Sequence, residues 1–168
     1  MAQGSSSLVD RMVGAAFLNI DTFEQVEHDK EATLQAAGVV VMVTVCEALG
    51  SWSFGPIAAL WAAATAVVAW LVWAGITYLI GEKIFDGEAT WGELLRTLGF
   101  AQAPGVLYLL GVLPLAGGLI SLVVSIWIMI AGFIAIRQAL DIGNAKTFLT
   151  ILVGGGVYAF LHVFPFPF

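Results

Sequence analysis

Residues 97–136 read TLGFAQAPGVLYLLGVLPLAGGLISLVVSIWIMIAGFIAI, 40 positions without one Asp, Glu, Lys or Arg. A helix crosses the hydrocarbon core of a bilayer with about 20 apolar residues, so this stretch holds twice what one crossing needs. Its middle carries Pro114, Gly117 and Gly118, which punctuate helices and favour turns. The stretch therefore reads as a helical hairpin that goes out over Leu98 to Leu115 and returns over Leu119 to Ile136.

Outward from the hairpin the same pattern repeats. No charged residue falls between Glu47 and Glu82, and none follows Lys146. Two spans fit these windows, Pro56 to Ile80 and Thr147 to Phe164, and a third runs from Thr33 to Leu49 with Glu47 near its end. Pro56 suits the first turn of a helix, where its missing amide hydrogen has no partner to lose. Ser51 to Gly55 forms the turn before it, with Trp52 as an interfacial aromatic, and Pro165 to Phe168 ends at an interface. The chain is 60% hydrophobic and 11% charged, against roughly 25% charged in soluble domains. A soluble protein of 168 residues lacks the interior volume to hide that much apolar surface. The expected fold is all-α, a polytopic transmembrane bundle of five spans.

Before the first span, Leu8, Val9, Met12, Val13, Ala16, Phe17 and Ile20 recur at helical spacing, with Ser5, Ser6 and Ser7 available as caps. This short amphipathic helix is too polar to span, and either lies along the cytoplasmic membrane surface or packs under the bundle. Asp21 and Glu24 have capping-box spacing, which predicts a second helix running on into the first span. The organisation is thus a cytoplasmic N-terminal segment, 1–32, and a transmembrane domain, 33–168. Residues 1–20 lack a basic stretch followed by an apolar block, so the first span is expected to direct insertion itself. Thr90 and Glu93 form a second capping box ahead of span three, and Trp91 stands where a membrane-belt aromatic belongs. Pro104 inside that span removes a backbone hydrogen bond and predicts a kink. Asp141, Gly143 and Asn144 make the loop before span five, with Asn144 as cap.

Charge gives the orientation. Arg11 and Lys30 precede span one, Lys83 and Arg96 lie between spans two and three, and Arg137 and Lys146 flank the loop between four and five. All six bases fall on one side, which the positive-inside rule makes the cytoplasm. The N-terminus is expected inside and the C-terminus outside. The formal net charge of −6 opposes binding to nucleic acid or to anionic headgroups. Cys46 is the single cysteine, which excludes an intramolecular disulfide.

Few residues suggest chemistry. Glu47 and His162 sit at the outer ends of spans one and five, at similar depth, and could pair near Cys46. Such a cluster would be needed for proton handling or metal binding, while a structural polar contact is the simpler reading. Gln102 lies beside Pro104 and could satisfy the freed carbonyl, bind a ligand, or join two helices, the last being preferred. Ala58, Ala62 and Ala66 form a small-residue ridge on span two, and Gly154, Gly155 and Gly156 a bare surface on span five, both suited to close helix packing. The triple glycine is no phosphate loop, since no strand precedes it and no lysine follows. Glu24, Glu27 and Glu31 form an acidic stripe that could dock a basic partner or simply face water. Acids in the 82–93 loop lack the geometry of a metal site, and His28 and His162 are too far apart in topology to share zinc. Trp61, Trp70, Trp73 and Trp127 lie away from the interface and are candidates for packing on another helix, a lipid or a pigment. No catalytic residue, metal site or cofactor is expected.

Several stretches resemble the bacterial Yip-domain membrane proteins, in particular members with five predicted spans. They are Asp10-Arg11-Met12, residues 22–27 (TFEQVE), 77–81 (TYLIG), 90–107 with its GELLRTLGFAQAPG core, Trp127, and 136–140 (IRQAL). The resemblance implies a helical bundle and a tendency toward partners rather than catalysis. Eukaryotic Yip-type proteins are linked to Rab-type GTPases, vesicle traffic and membrane shape, and their soluble N-terminal domain is replaced here by residues 1–32. The expected function is a non-enzymatic scaffold or accessory subunit in the bacterial cytoplasmic membrane, touching lipid and a membrane-protein partner or a second copy of itself. A small oligomeric transporter or channel is the alternative, kept open by the kinked third span.

Overall fold

A computed structural model describes the backbone of residues 7–50 and 56–163, and their side chains except at 56, 58, 59 and 156–163. The expected turn at 51–55 and the tail at 165–168 lie outside the described residues, as do Ser5 and Ser6, the side chains of Ala58 and His162, and the surroundings of Gly156. Every element among the described residues is helical. In chain order they are α1 (Leu8–Ala16), α2 (Ile20–His28), α3 (Ala32–Gly50), α4 (Pro56–Phe85), α5 (Trp91–Phe100), a 3-10 helix (Ala103–Val112), α6 (Gly117–Leu140) and α7 (Asn144–Val163). Three stretches among the described residues, Ala32–Gly50, Leu60–Phe85 and Gly117–Leu140, are long and apolar enough to cross a membrane. At a rise of about 1.5 Å per residue the shortest is about 28 Å long, close to a hydrocarbon core of about 30 Å.

The uncharged 40-residue stretch does fold back on itself. The Tyr108 hydroxyl meets the Ser125 hydroxyl at 2.9 Å, Gly105 lies against Ile128, and Gly117 lies against Gly111. Partner numbers fall as positions rise, so the 3-10 helix and α6 run antiparallel. The turn between them places Leu115 in the left-handed region, at φ 69°.

The outgoing arm differs from the single α-helix expected over Leu98–Leu115. It begins earlier, at Trp91, where the Thr90–Glu93 capping box forms with bonds of 2.7 and 3.3 Å. It leaves the α conformation at Ala101 and resumes as a 3-10 helix with Pro104 in its first turn. Proline has no amide hydrogen to return to the carbonyl four residues back, and its ring crowds that carbonyl. The i to i+3 pattern of the 3-10 form relieves the crowding. The tighter helix also has a consequence for packing. Gly99 lies on Ala36, Gly105 on Val43, and Gly50 on the backbone of Tyr108 and Leu109. Numbers rise together, so α3 and the α5–3-10 arm run parallel. From Ala36 to Gly50 α3 advances about 21 Å, and the facing stretch from Gly99 to Leu109, four α steps at about 1.5 Å and six 3-10 steps at about 2.0 Å, advances about 18 Å. The two arms therefore stay nearly level.

From the end of the bundle carrying the basic residues, α1 and α2 form a small collar that reaches along α6 from Gln138, bonded to Glu24, to Trp127, bonded to Ala16, about 16 Å further. Ser7 caps α1 in a box with Asp10. Asn19, not Asp21, caps α2, its side chain accepting from the Asp21 amide at 2.9 Å. The helix expected to run from Asp21 into the first span is interrupted. Asp29 is extended, and its carboxylate accepts from the Glu31 amide at 3.0 Å and binds Arg11 at 2.6 Å. Asp29 thus turns the chain between α2 and α3, and the Arg11 guanidinium holds its carboxyl below the usual range.

α4 and α7 run antiparallel. Gly154 lies on Trp73, Ile76 and Ile80, and the Lys146 ammonium reaches the Phe85 carbonyl at 2.9 Å.

A Cβ added at Gly99 would stand 2.6 Å from the Ala36 Cβ, whereas one at Gly38 would meet nothing within 4 Å. Gly99→Ala should therefore lower stability by about 1–3 kcal/mol through overpacking. Gly38→Ala should raise it by about 0.5–1 kcal/mol, the cost of a helical glycine. Thermal unfolding of the two variants in detergent, monitored by circular dichroism, checks both directions.

Candidate functional site

Between α3, α4, the α5–3-10 arm, α6 and α7 lies a cavity of about 470 Å³. Its walls are largely apolar, with Trp70, Trp73, Ile128 and Phe133 among them. Four polar side chains reach it: Thr44, Glu47, Gln102 and Tyr108. Thr44 returns its hydroxyl to the Val40 carbonyl at 2.9 Å, and Tyr108 is engaged with Ser125. Glu47 is exposed, three residues before the end of α3. Gln102 is half-buried, and its side-chain amide has no hydrogen-bond partner among the described residues. Gln102 stands at the start of the 3-10 helix, two residues before Pro104, and its side chain makes no cap bond there. The structure thus joins two residues that the sequence offered separately, Glu47 and Gln102, at one cavity. Cys46 is half-buried on the neighbouring position of α3.

Other expected residues are placed elsewhere. Ala62 is half-buried on α4, and Ala66 lines the cavity. Pro104 is buried in the core, Gly154 makes the close α4–α7 contact, and a Cβ at Gly155 would stand 4.0 Å from Trp73. Glu24 and Glu31 are exposed, and Glu24 accepts from the Gln138 amide at 2.8 Å. Glu27 turns inward and is buried. The acidic stripe is therefore broken at its centre. Among the described residues no group of three His, Cys, Asp or Glu side chains could hold a metal ion.

Two kinds of polar anchor were not identified from the sequence. Two tryptophans, Trp70 buried and Trp127 half-buried, donate to backbone carbonyls across elements, Trp70 to Leu95 at 3.1 Å and Trp127 to Ala16 at 2.8 Å. Arg96 was read only as a topological charge, yet it is buried and donates to the last carbonyls of α2, to Val26 at 3.0 Å and twice to Glu27. It also reaches the Thr33 hydroxyl at 3.5 Å. A guanidinium suits this task, since its fork meets two carbonyls that a helix end leaves without partners. The available signal was its place inside a capped helix, after Leu94 and Leu95, where an outward cation would not be expected. Beside it, burial pushes the Glu27 carboxyl from 4.5 up to about 7. The neighbouring His28 opposes the rise, and Glu24, Glu93 and Asp141 add to it.

These features define an integral membrane protein, all-helical among its described residues, with an intramembrane cavity and a polar collar at one end. A family model, the Yip1 domain, matches residues 15–164. The chain belongs to the Yip1 domain family. Comparison with curated proteins and with solved structures gives no match.

Replacing Arg96 by Met would leave the Val26 and Glu27 carbonyls buried without donors. The expected loss is about 2 kcal/mol or more, seen as a lower melting temperature and faster cleavage within 17–31 under limited proteolysis. The Glu27 carboxyl gives a pH signature of definite sign. Folded, it keeps its proton up to about pH 7, while its ordinary value is 4.5. Between those values the folded state binds more protons than the unfolded one, so stability is lost as pH rises through about 7. Glu27→Gln should melt with the wild type at pH 5 and above it at pH 8.

Proposed function

We propose that the protein is a non-enzymatic scaffold or accessory subunit that binds other membrane proteins in the bacterial cytoplasmic membrane. The observation that carries this reading is the first half of α4. From Ile57 to Ala69 no described residue is buried, and Ile57, Leu60 and Trp61 are 70–72% exposed. The first buried residue along the helix is Trp70. A length of apolar helix whose described residues stand exposed, with a tryptophan and small residues along it, has the makings of a helix–helix contact between proteins. Glu24 and Glu31 offer a place for basic groups of the same partner at the opposite end.

Five crossings are supported by length. About 15 Å of α5 and about 20 Å of 3-10 helix together exceed one hydrocarbon thickness of about 30 Å, and α7 is a 20-residue helix. The basic residues support an inside N-terminus and an outside C-terminus, because all six belong to the ends of helices that meet the α1–α2 collar or the loops level with it. In that frame residues 1–32 are the cytoplasmic segment. A small oligomeric transporter or channel is the second reading. It draws on the cavity, where an ionisable Glu47 and the unpaired Gln102 share an apolar space.

The test is gentle detergent extraction of the native protein, followed by native mass spectrometry of what co-purifies. A stoichiometric membrane-protein partner that drops by about tenfold or more with Trp61→Ala is the expected result. A homogeneous monomer or homo-oligomer would overturn the scaffold and bring transport assays in proteoliposomes to the front.

A further inference from the structure

We infer that the cavity is a binding site for one membrane phospholipid with a primary ammonium headgroup, its ammonium on Glu47 and one acyl chain between Trp70, Trp73 and Phe133. The site takes Ala66 and Ala69 from the end of the exposed half of α4, but it leaves out Ile57, Leu60 and Trp61 and does not depend on the protein's being a scaffold.

Size and lining point to an amphiphile. A volume of about 470 Å³ falls within the roughly 300–1,000 Å³ of small-molecule sites, which are mostly apolar with a few convergent polar groups. Met129 lines the cavity and is 62% exposed, so the space opens through the bundle wall to the surrounding lipid. The lipid source is therefore the bilayer itself, and the ligand enters sideways.

Charge selects the headgroup. Glu47 is the one charged residue lining the cavity among the described residues. It stands fifteen residues along α3 from Ala32, about 22 Å from the end where Lys30 lies. The other bases of the chain, Arg11, Lys83, Arg96, Arg137 and Lys146, belong to that same end or to the loops level with it. No lysine or arginine of this chain is placed to neutralise Glu47. A carboxylate only accepts hydrogen bonds, and an ammonium only donates them. In the low dielectric beside lipid, their attraction exceeds its value in water. The Gln102 carbonyl oxygen, in an amide without a partner among the described residues, is a second acceptor at the same cavity. An anionic headgroup would find a like charge at the mouth and no strong donor to offset it.

Gly132 supplies the control. It lines the cavity, and a Cβ there would meet nothing within 4 Å. Gly132→Leu therefore starts a side chain in open space and extends it into the cavity, where it obstructs the acyl chain.

The test uses the full-length protein, purified in detergent and mixed with phosphatidylethanolamine or phosphatidylglycerol carrying identical acyl chains. Native mass spectrometry then reads the lipid retained. The expected result is one phosphatidylethanolamine per chain, held on the order of tenfold better than phosphatidylglycerol. Glu47→Gln should reduce the preference to near unity, and Gly132→Leu should abolish stoichiometric retention of either lipid. Equal retention of the two lipids by the wild type would overturn the inference and assign Glu47 to an internal partner such as His162. Unchanged selectivity in Glu47→Gln, or unchanged retention in a folded Gly132→Leu, would overturn it as well. Should Glu47→Gln fail to fold, the wild-type comparison and Gly132→Leu still decide the matter.

Discussion

The close approach of α3 to the α5–3-10 arm, at Gly99 on Ala36 and Gly105 on Val43, is the contact around which the bundle is arranged. In lipid, apolar side chains gain nothing from leaving water, so helices associate through van der Waals packing, interhelical hydrogen bonds and lipid entropy. Glycine on one helix and a small or β-branched residue on the other let two backbones come within reach of each other. Everything on either side follows from that parallel pair. The 3-10 arm presents its other side to α6 across the hairpin, and α5 offers the Leu95 carbonyl to Trp70 of α4. The cavity lies between this pair and α4, α6 and α7.

Pro104 ties this arrangement to the site. An uninterrupted α-helix from Trp91 would advance only about 33 Å over 22 residues and keep a 3.6-residue turn throughout. Changing to three residues per turn after Ala101 alters which side chains face α3 and which face the cavity. Gly105 then meets Val43, Tyr108 meets both Gly50 and Ser125, and Gln102 is left facing neither neighbour with a bond. The same substitution of one hydrogen-bond pattern for another satisfies the backbone inside lipid, where an open carbonyl costs several kcal/mol. The end of the α-helix and the open amide at the cavity thus both lie beside this one imino acid.

What could be read from the sequence followed the strength of the physical signal. Charge-free length is unambiguous, so α3, α4 and α6 were located to within a few residues, and the fold-back of 97–136 followed from arithmetic. The Thr90–Glu93 box is a local motif whose partners are three residues apart, and it formed as the spacing dictated. The Asp21–Glu24 spacing failed as a start signal because Asn19, two residues earlier, competes for the same amides, and Asp29 breaks the helix by bonding Arg11, eighteen positions away. No window of sequence contains both members of that pair. Arg96 and Val26 are seventy positions apart, and Trp127 and Ala16 one hundred and eleven. Anchors of this kind depend on tertiary placement, so the residues could be noticed and their partners could not. Glu47 and Gln102 belong to the same class: each is conspicuous alone, and only the bundle shows that they share a cavity.

The polar groups of the protein divide into two populations with different physical duties. At the basic end, Arg11 and Arg96 are buried and fully engaged, and they fasten α1 and α2 to the bundle by charge-assisted bonds to Asp29 and to helix-end carbonyls. A cation buried there meets acceptors arranged before it arrives, so its desolvation is offset within the chain. At the cavity the reverse holds. Glu47 and Gln102 are presented to an apolar space by helices that are themselves well packed, and no described group of the protein completes them. Structural polar groups in membrane bundles are retained because the chain satisfies them. Polar groups that a rigid scaffold leaves incomplete beside lipid are instead suited to a ligand, and that contrast, more than the cavity's volume, separates a binding site from a packing defect.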